Sequence, residues 1–329
     1  MTLLWDQHAC LPLQPDADVD YLARFARSGP TYVSVNVGYS PQTFADSMLL
    51  IERFRAGIDA HPALSLARPD RIVAGYGLAG DGGHDALADG IHIAFDLEDS
   101  NPLDGDLGNV ARFVERGVAT MLPSYNHANR AGCGCLDAHD TGLTRWGRDL
   151  IAEMNAAGMV PDGSHCSAQT GLDMCAISTK PVIYSHSCMR AVWDHPRNIT
   201  DDQARAAADT GGVIGITGVG IFLGPNTPTL EAMTRHLEYA VDLVGIDHVG
   251  ISTDHSFDAA DFLAEIDSHP EAFDDSYTRW GPIQWMAPEV FVTIGAHLAE
   301  AGWAADDIAA VLGGNFRRVA AQSWVIPPR

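Results

Sequence analysis

The chain has 329 residues, 46% of them hydrophobic, and carries 43 Asp and Glu against 20 Lys and Arg, a formal net charge of -23. So acidic a surface repels the phosphates of nucleic acid and anionic lipid, which argues against either as a partner. No basic segment followed by an apolar core opens the sequence, and no run of about 18 apolar residues could cross a bilayer, so a cytoplasmic protein is expected.

Short apolar runs recur along the chain at 3–8, 32–37, 91–97, 118–125, 159–165, 182–186, 213–217 and 249–254, eight candidate strands in all. Helical patterns fill most of the intervals. Thr200 and Gln203 form a capping box ahead of 204–208, and Gly211-Gly212 stops that helix. Thr227 is placed to cap a second, with Pro228 at its first position and Leu230, Met233, Leu237, Val241 and Val244 at helical spacing before Gly245. The stretch 40–90, with Gly80, Gly82 and Gly83, is too long for one crossover and predicts an insertion after strand two with short elements of its own. The tail after Trp324 reads as a closing extension. Alternating strands and helices predict an α/β fold, a (β/α)8 TIM barrel forming a single domain over residues 1–329, the alternative being a doubly wound open sheet. The six cysteines are spread along the chain and are expected as free thiols; Cys133-Gly-Cys135 lacks the second pair of a zinc knuckle.

Barrel active sites collect at the C-terminal ends of strands, so the residues that end the runs are the ones to inspect. They are His8 and Cys10, Glu98, Tyr125 and Asn126, His165, His186 and Asp254. One histidine after an apolar run is more often structural than ligating. Three histidines, a glutamate and an aspartate at one face are what a one- or two-metal hydrolytic centre needs, because neutral imidazole and carboxylate suit zinc. Positions i and i+2 of a strand share a side, which lets His8 and Cys10 reach one ion, and places Asp6 to orient a ligand. His127, His195 and His255 follow site elements and could support the ligands.

In order along nearly the whole chain, "DQHACLP", "FDLED", "SYNHANRAGCGC", "GLTRWGRDLIAEMNAAGM", "DGSH", "PVIYSHS", "HPRNITDDQ", "HVGISTD" and "LGGNFRRV" resemble the membrane dipeptidase (renal dipeptidase, peptidase M19) family. The resemblance implies an amidohydrolase-type barrel with two zinc ions that hydrolyses dipeptides. By matching position it implies His8 as a ligand of the first metal, Glu98 as the bridge, and His165 and His186 as the other histidine ligands. It also implies Arg197 as the anchor of the substrate's terminal carboxylate and Asp254 as the carboxylate that moves the proton of the attacking water.

The sequence departs from the family pattern in three places. Cys10 stands where the family has a second carboxylate. Tyr125 replaces a histidine that polarises the scissile carbonyl, a role a phenol can also fill by donating a hydrogen bond. Pro161 and Gly163 interrupt the run before His165. Cys10 leaves three readings open: a thiolate zinc ligand, a weakened first site with a single ion held near Glu98, His165 and His186, or a buried thiol without a metal role. The function expected is zinc-dependent hydrolysis of a small amide or dipeptide bearing a free carboxylate, with two zinc ions, or one if Cys10 is not a ligand. The substrate is the only partner implied, and a homodimer is compatible with the sequence. The alternatives are another amidohydrolase-type reaction on a non-peptide substrate, or a catalytically impaired barrel that only binds ligand.

Overall fold

The computed structural model describes residues 2–74 and 89–325; Gly80, Gly82 and Gly83 of the insertion, and the tail beyond 325, lie outside the described residues. The described residues form nine strands: β1 Leu4–Cys10, β2 Pro30–Asn36, β3 Leu64–Leu66, β4 Gly90–Leu97, β5 Val118–Met121, β6 Val160–Pro161, β7 Ile214–Ile216, β8 Val249–Ile251 and β9 His255–Ser256. All their pairings are parallel. Hydrogen-bonded neighbours run β6-β5-β4-β2-β1-β9, and β7 pairs β8. Single bridges from Asp162 to Ile183 and from Tyr184 to Ile214 carry the order from β6 to β7 through the sixth run. Across Ser252–Asp254 the chain passes from β8 to β9, and the Asp254 N–H donates to the His8 carbonyl at 2.9 Å. The architecture is the (β/α)8 barrel expected.

β2 is buried along its whole length and β1 as far as Ala9, as parallel strands covered on both faces must be. Several runs pair over shorter lengths than their apolar extent suggests. β5 stops at Met121, two residues before Pro123, and β6 is only two residues long because Pro161 has no N–H to donate. Beyond it Gly163 brings the backbone close to Tyr184, whose ring a Cβ would meet at 2.6 Å. The insertion after strand two supplies helix Phe44–Ala60, opened by a capping box of Thr43 and Asp46, and β3, which no pattern in the sequence had isolated. β3 takes the edge of β4 at Ile91–Ile93, while β5 takes it at Phe95–Leu97.

The capping box of Thr200 and Gln203 forms as expected, opening helix Asp201–Asp209. Helix Leu230–Val244 starts later than expected: Thr229, not Thr227, is its cap, accepting from the Ala232 N–H. Pro228 therefore precedes the helix. No helix among the described residues is long and apolar enough to cross a membrane.

Near the N-terminal ends of the strands the barrel is filled by aromatic rings. Trp5 stacks on Tyr32 at 3.7 Å, and Phe316, from the closing helix Asn315–Ser323, lies 6.2 Å from Trp5. Gly215 and Gly250 make room for Phe316; a Cβ on them would come within 3.1 and 2.5 Å of its ring. The filled end supports the opposite one, where β1 and β4 deliver His8 and Glu98. Phe316→Ala should therefore lower the unfolding free energy by about 3–5 kcal/mol, and Gly250→Ala by about 1–3 kcal/mol through overpacking. Urea denaturation of both variants checks this; a Phe316→Ala loss under about 1 kcal/mol would mean the ring is not part of the packed floor.

Candidate metal centre

The ends of the strands bring six of the expected residues together. His8 Nε2, His165 Nε2 and His186 Nε2 lie 3.2, 3.4 and 3.6 Å from a single oxygen, Glu98 Oε1. Cys10 Sγ is 3.3 Å from His8 Nε2, and Asp254 Oδ1 is 3.8 Å from it. Three overlapping groups have ligand atoms all within 4.8 Å of one another: His8, Cys10 and Glu98; Glu98, His165 and His186; His8, His186 and Asp254. Glu98 is common to the first two, as a carboxylate shared by two ions would be.

Each imidazole is oriented by an oxygen at its other nitrogen. His8 Nδ1 meets Asp96 Oδ1 at 3.0 Å, His165 Nδ1 meets Asn126 Oδ1 at 2.8 Å, and His186 Nδ1 meets Ser185 Oγ at 2.7 Å. That leaves three Nε2 atoms turned inward, the arrangement in which outer hydrogen bonds fix the tautomer of a ligand. His186 Nε2 is buried with no hydrogen-bond partner at all. A buried nitrogen so placed is costly unless a cation takes its lone pair, and the donor set of nitrogen, carboxylate and thiol fits zinc. Glu98 Oε2 accepts from Asn36 Nδ2, so the carboxylate is anchored on one oxygen and offers the other.

Burial and nearby charge prepare the groups. Burial lowers His165 to about 3 with Arg197 adding to it, and burial, then His8, lowers His186, so both are neutral imidazoles. For His8 burial pulls down, but Asp96, Cys10 and Glu98 outweigh it and raise its pKa. Burial would raise Glu98, yet His8 and His165 hold it ionised. The Cys10 thiol is pushed up to about 12 by burial, against the pull of His8. Burial also raises Asp254 to about 7 and keeps Tyr125 protonated. His165, Asn126 and Asp254 have φ of 62°, 53° and 51°, a left-handed backbone that costs non-glycine residues on the order of 1 kcal/mol and turns their side chains inward from the strand ends.

Tyr125 stacks on His165 at 4.0 Å and lines, with Cys10, Glu98, His165 and Asp254, a cavity of about 40 Å³ covered by Phe222 and Tyr277. A larger space of about 400 Å³ adjoins it across Cys10, Glu98 and Tyr125. Arg197 is set back from the six. It is 2% exposed, its guanidinium lies over the Phe222 ring at 5.1 Å, and Nη2 donates to the His186 carbonyl at 3.3 Å. His195, foreseen as a supporting group, accepts from the Arg197 N–H and is tied through Nε2 to the Ser276 carbonyl.

Asp6 does not orient a histidine ring as expected. Its oxygens take the Thr253 N–H at 2.7 Å, the Thr253 hydroxyl and the Ser252 hydroxyl, so it shapes the turn that presents Asp254. The ring of His8 is oriented instead by Asp96, which also accepts from Ser34. Its signal was present in "FDLED", where Asp96 precedes Glu98 by two and so shares its side of the strand. Asn36, at the end of β2, had no comparable signal. His127 pairs with Asp137 and His255 lies beside Arg24, neither touching the ligand set. All six cysteines are free thiols, and Cys133 and Cys135 belong to no metal-competent group among the described residues.

Comparison with known proteins identifies the family. An uncharacterized protein of Klebsiella pneumoniae is 35% identical over 48% of this chain and 62% of its own length. An uncharacterized dipeptidase of Schizosaccharomyces pombe is 28% identical over 71% of this chain, which matches 54% of that relative's length. Among solved structures, an amidohydrolase from Pseudomonas aeruginosa superposes with a TM-score of 0.80 at 25% identity, covering 98% of this chain and 97% of that one. The Membrane dipeptidase (Peptidase family M19) pattern matches residues 78–324, three quarters of the sequence, and the chain belongs to that family.

Proposed function

We propose that the protein is a zinc-dependent dipeptidase, hydrolysing a small amide or dipeptide that bears a free carboxylate, as a single barrel over 1–329. The observation that carries this reading is the convergence of three Nε2 atoms on Glu98 Oε1, one of them without any other partner. His8, Cys10, Glu98, His165 and His186 would hold two ions, with Glu98 between them. When bound, the metal supplies Lewis-acid charge that polarises the scissile carbonyl and makes water nucleophilic at neutral pH.

The remaining steps belong to the chain's own residues. Asp254, whose carboxyl is held near neutrality by burial, takes a proton from the attacking water and passes it to the nitrogen of the breaking C–N bond. Tyr125, protonated and facing the cavity, donates a hydrogen bond to the carbonyl oxygen as negative charge collects there. Arg197 pairs with the carboxylate and fixes the substrate's direction. Phe222 and Tyr277 close over the reacting atoms and restrict water.

Three outcomes test the assignment. Arg197→Ala weakens carboxylate-bearing substrates by about 2–5 kcal/mol while sparing their amides; steady-state kinetics on matched acid and amide pairs measure it, and equal losses would remove Arg197 from the anchoring role. Asp254→Asn retains the metal content of the wild type but lowers kcat by about 10²–10⁴, and loss of metal in that variant would make the aspartate a ligand instead. Cys10→Ser lowers zinc by up to about one equivalent by elemental analysis, and Cys10→Asp keeps two; unchanged metal and activity in Cys10→Ser would leave the thiol a packing group.

A further inference from the structure

Sharing His165 with the cavity at the metal centre is a second cavity of about 160 Å³ whose walls include Cys135, Ser167, Arg190, Arg197 and Gln203. At about 30 Å³ for one water it has room for roughly five waters or for one short polar side chain. Two guanidiniums face this space. Arg24, Arg68, Arg148 and Arg205 form ion pairs, but Arg190 and Arg197 form none among the described residues. Each gives Nη2 to a backbone carbonyl, Arg190 to Pro196 at 2.7 Å and Arg197 to His186 at 3.3 Å, and the Nε of each is buried without a partner.

An arginine only 2% exposed with no counterion is expensive, and the partly buried Arg190 adds a second positive charge to the same small cavity. The acidic residues on the same wall do not relieve them. Asp140 is engaged by the Gly142 and Gln169 N–H groups and the Ser167 hydroxyl, and Asp137 by the Gly134 N–H and His127. Among the described residues neither aspartate pairs with Arg190 or Arg197, so both guanidiniums keep an Nε–H to offer an incoming carboxylate.

We infer that this cavity receives an acidic side chain on the C-terminal residue of the substrate, so that Arg190 is a specificity-determining residue and the preferred dipeptides end in aspartate or glutamate. The inference rests on the dipeptidase reading, in which Arg197 holds the α-carboxylate. A side chain leaving the same carbon then extends past Arg197 toward Arg190, where a second carboxylate is matched by a planar two-pronged donor. The 400 Å³ space on the other side of Glu98 is left for the N-terminal residue.

The test compares Ala-Glu with Ala-Gln, in both configurations of the second residue, on the zinc-loaded protein. The two differ in charge and barely in size, and wild type should favour the acid by about 10- to 100-fold in kcat/KM, carried by KM, the range expected for a hydrogen bond to a charged group. Arg190→Met should collapse that ratio to within about threefold, and Arg190→Lys should keep part of it. Calorimetry with free glutamate and glutamine on the wild-type protein, independent of any variant's folding, should show the same order. A ratio near one in wild type overturns the inference, as does a loss in Arg190→Met that falls equally on both substrates, which would make Arg190 only a brace for Pro196. If neutral dipeptides are cleaved while the ratio is near one, the dipeptidase reading stands and this inference alone falls. If no dipeptide is cleaved at full zinc loading, both fall together.

Discussion

Everything at the active end of this barrel is arranged around one buried carboxylate. Glu98 is 5% exposed, yet three imidazoles close on one of its oxygens and an asparagine holds the other. A buried anion is tolerated only when it is matched by positive charge or by donors, so the position of Glu98 constrains its neighbours rather than the reverse. β4 carries Glu98 in from below, β1 brings His8 beside it, and the turns after β6 and the sixth run bring His165 and His186 from the opposite side. The barrel is the means by which residues 8, 98, 165 and 186 reach one point.

The outer partners follow from the same constraint. A histidine turned inward with Nε2 has Nδ1 facing the barrel wall, where it must be satisfied. Asp96, Asn126 and Ser185 answer that need at three different strands. Asn126 also reaches the cover of the site, since its Nδ2 donates to the Ala272 carbonyl and its Oδ1 accepts from the Tyr277 hydroxyl. The segment that covers the cavity is thereby fastened to the residue that orients His165. Cover and ligand are held by one side chain.

How much of this could be read from the residues depended on whether the signal was local. His8, Glu98, His165, His186 and Asp254 stand at the ends of apolar runs, and a barrel sends all such ends to one face, so their meeting was legible. The capping box at Thr200 was equally local and formed as written. What failed did so through contacts distant in sequence or through missing donors. The two-residue β6 follows from Pro161, the use of Asp6 by Thr253 joins the chain's first and last barrel runs, and Asn36 reaches Glu98 across 62 positions. β3 is three residues long and exists because β4 leaves half of one edge open, which no pattern within Leu64–Leu66 records.

Cys10 shows how a single departure changes a centre without changing its plan. A carboxylic acid gives up its proton far more readily than a thiol, so a carboxylate at that position would need less help from a metal. The thiol, raised to about 12 by burial, surrenders its proton only if a cation takes its place at the sulfur. On the proposed reading, filling the first site and ionising Cys10 are one event, and the proton competes with the metal for the same atom. Hard ions such as magnesium, which gain little from sulfur, would not win that competition, whereas zinc would. The second group, Glu98 with His165 and His186, contains no such proton to displace, because both its imidazoles are already neutral. On that reading the two proposed sites would be unequal before any ion arrives, the one around His165 and His186 ready and the one at Cys10 conditional on the metal that fills it.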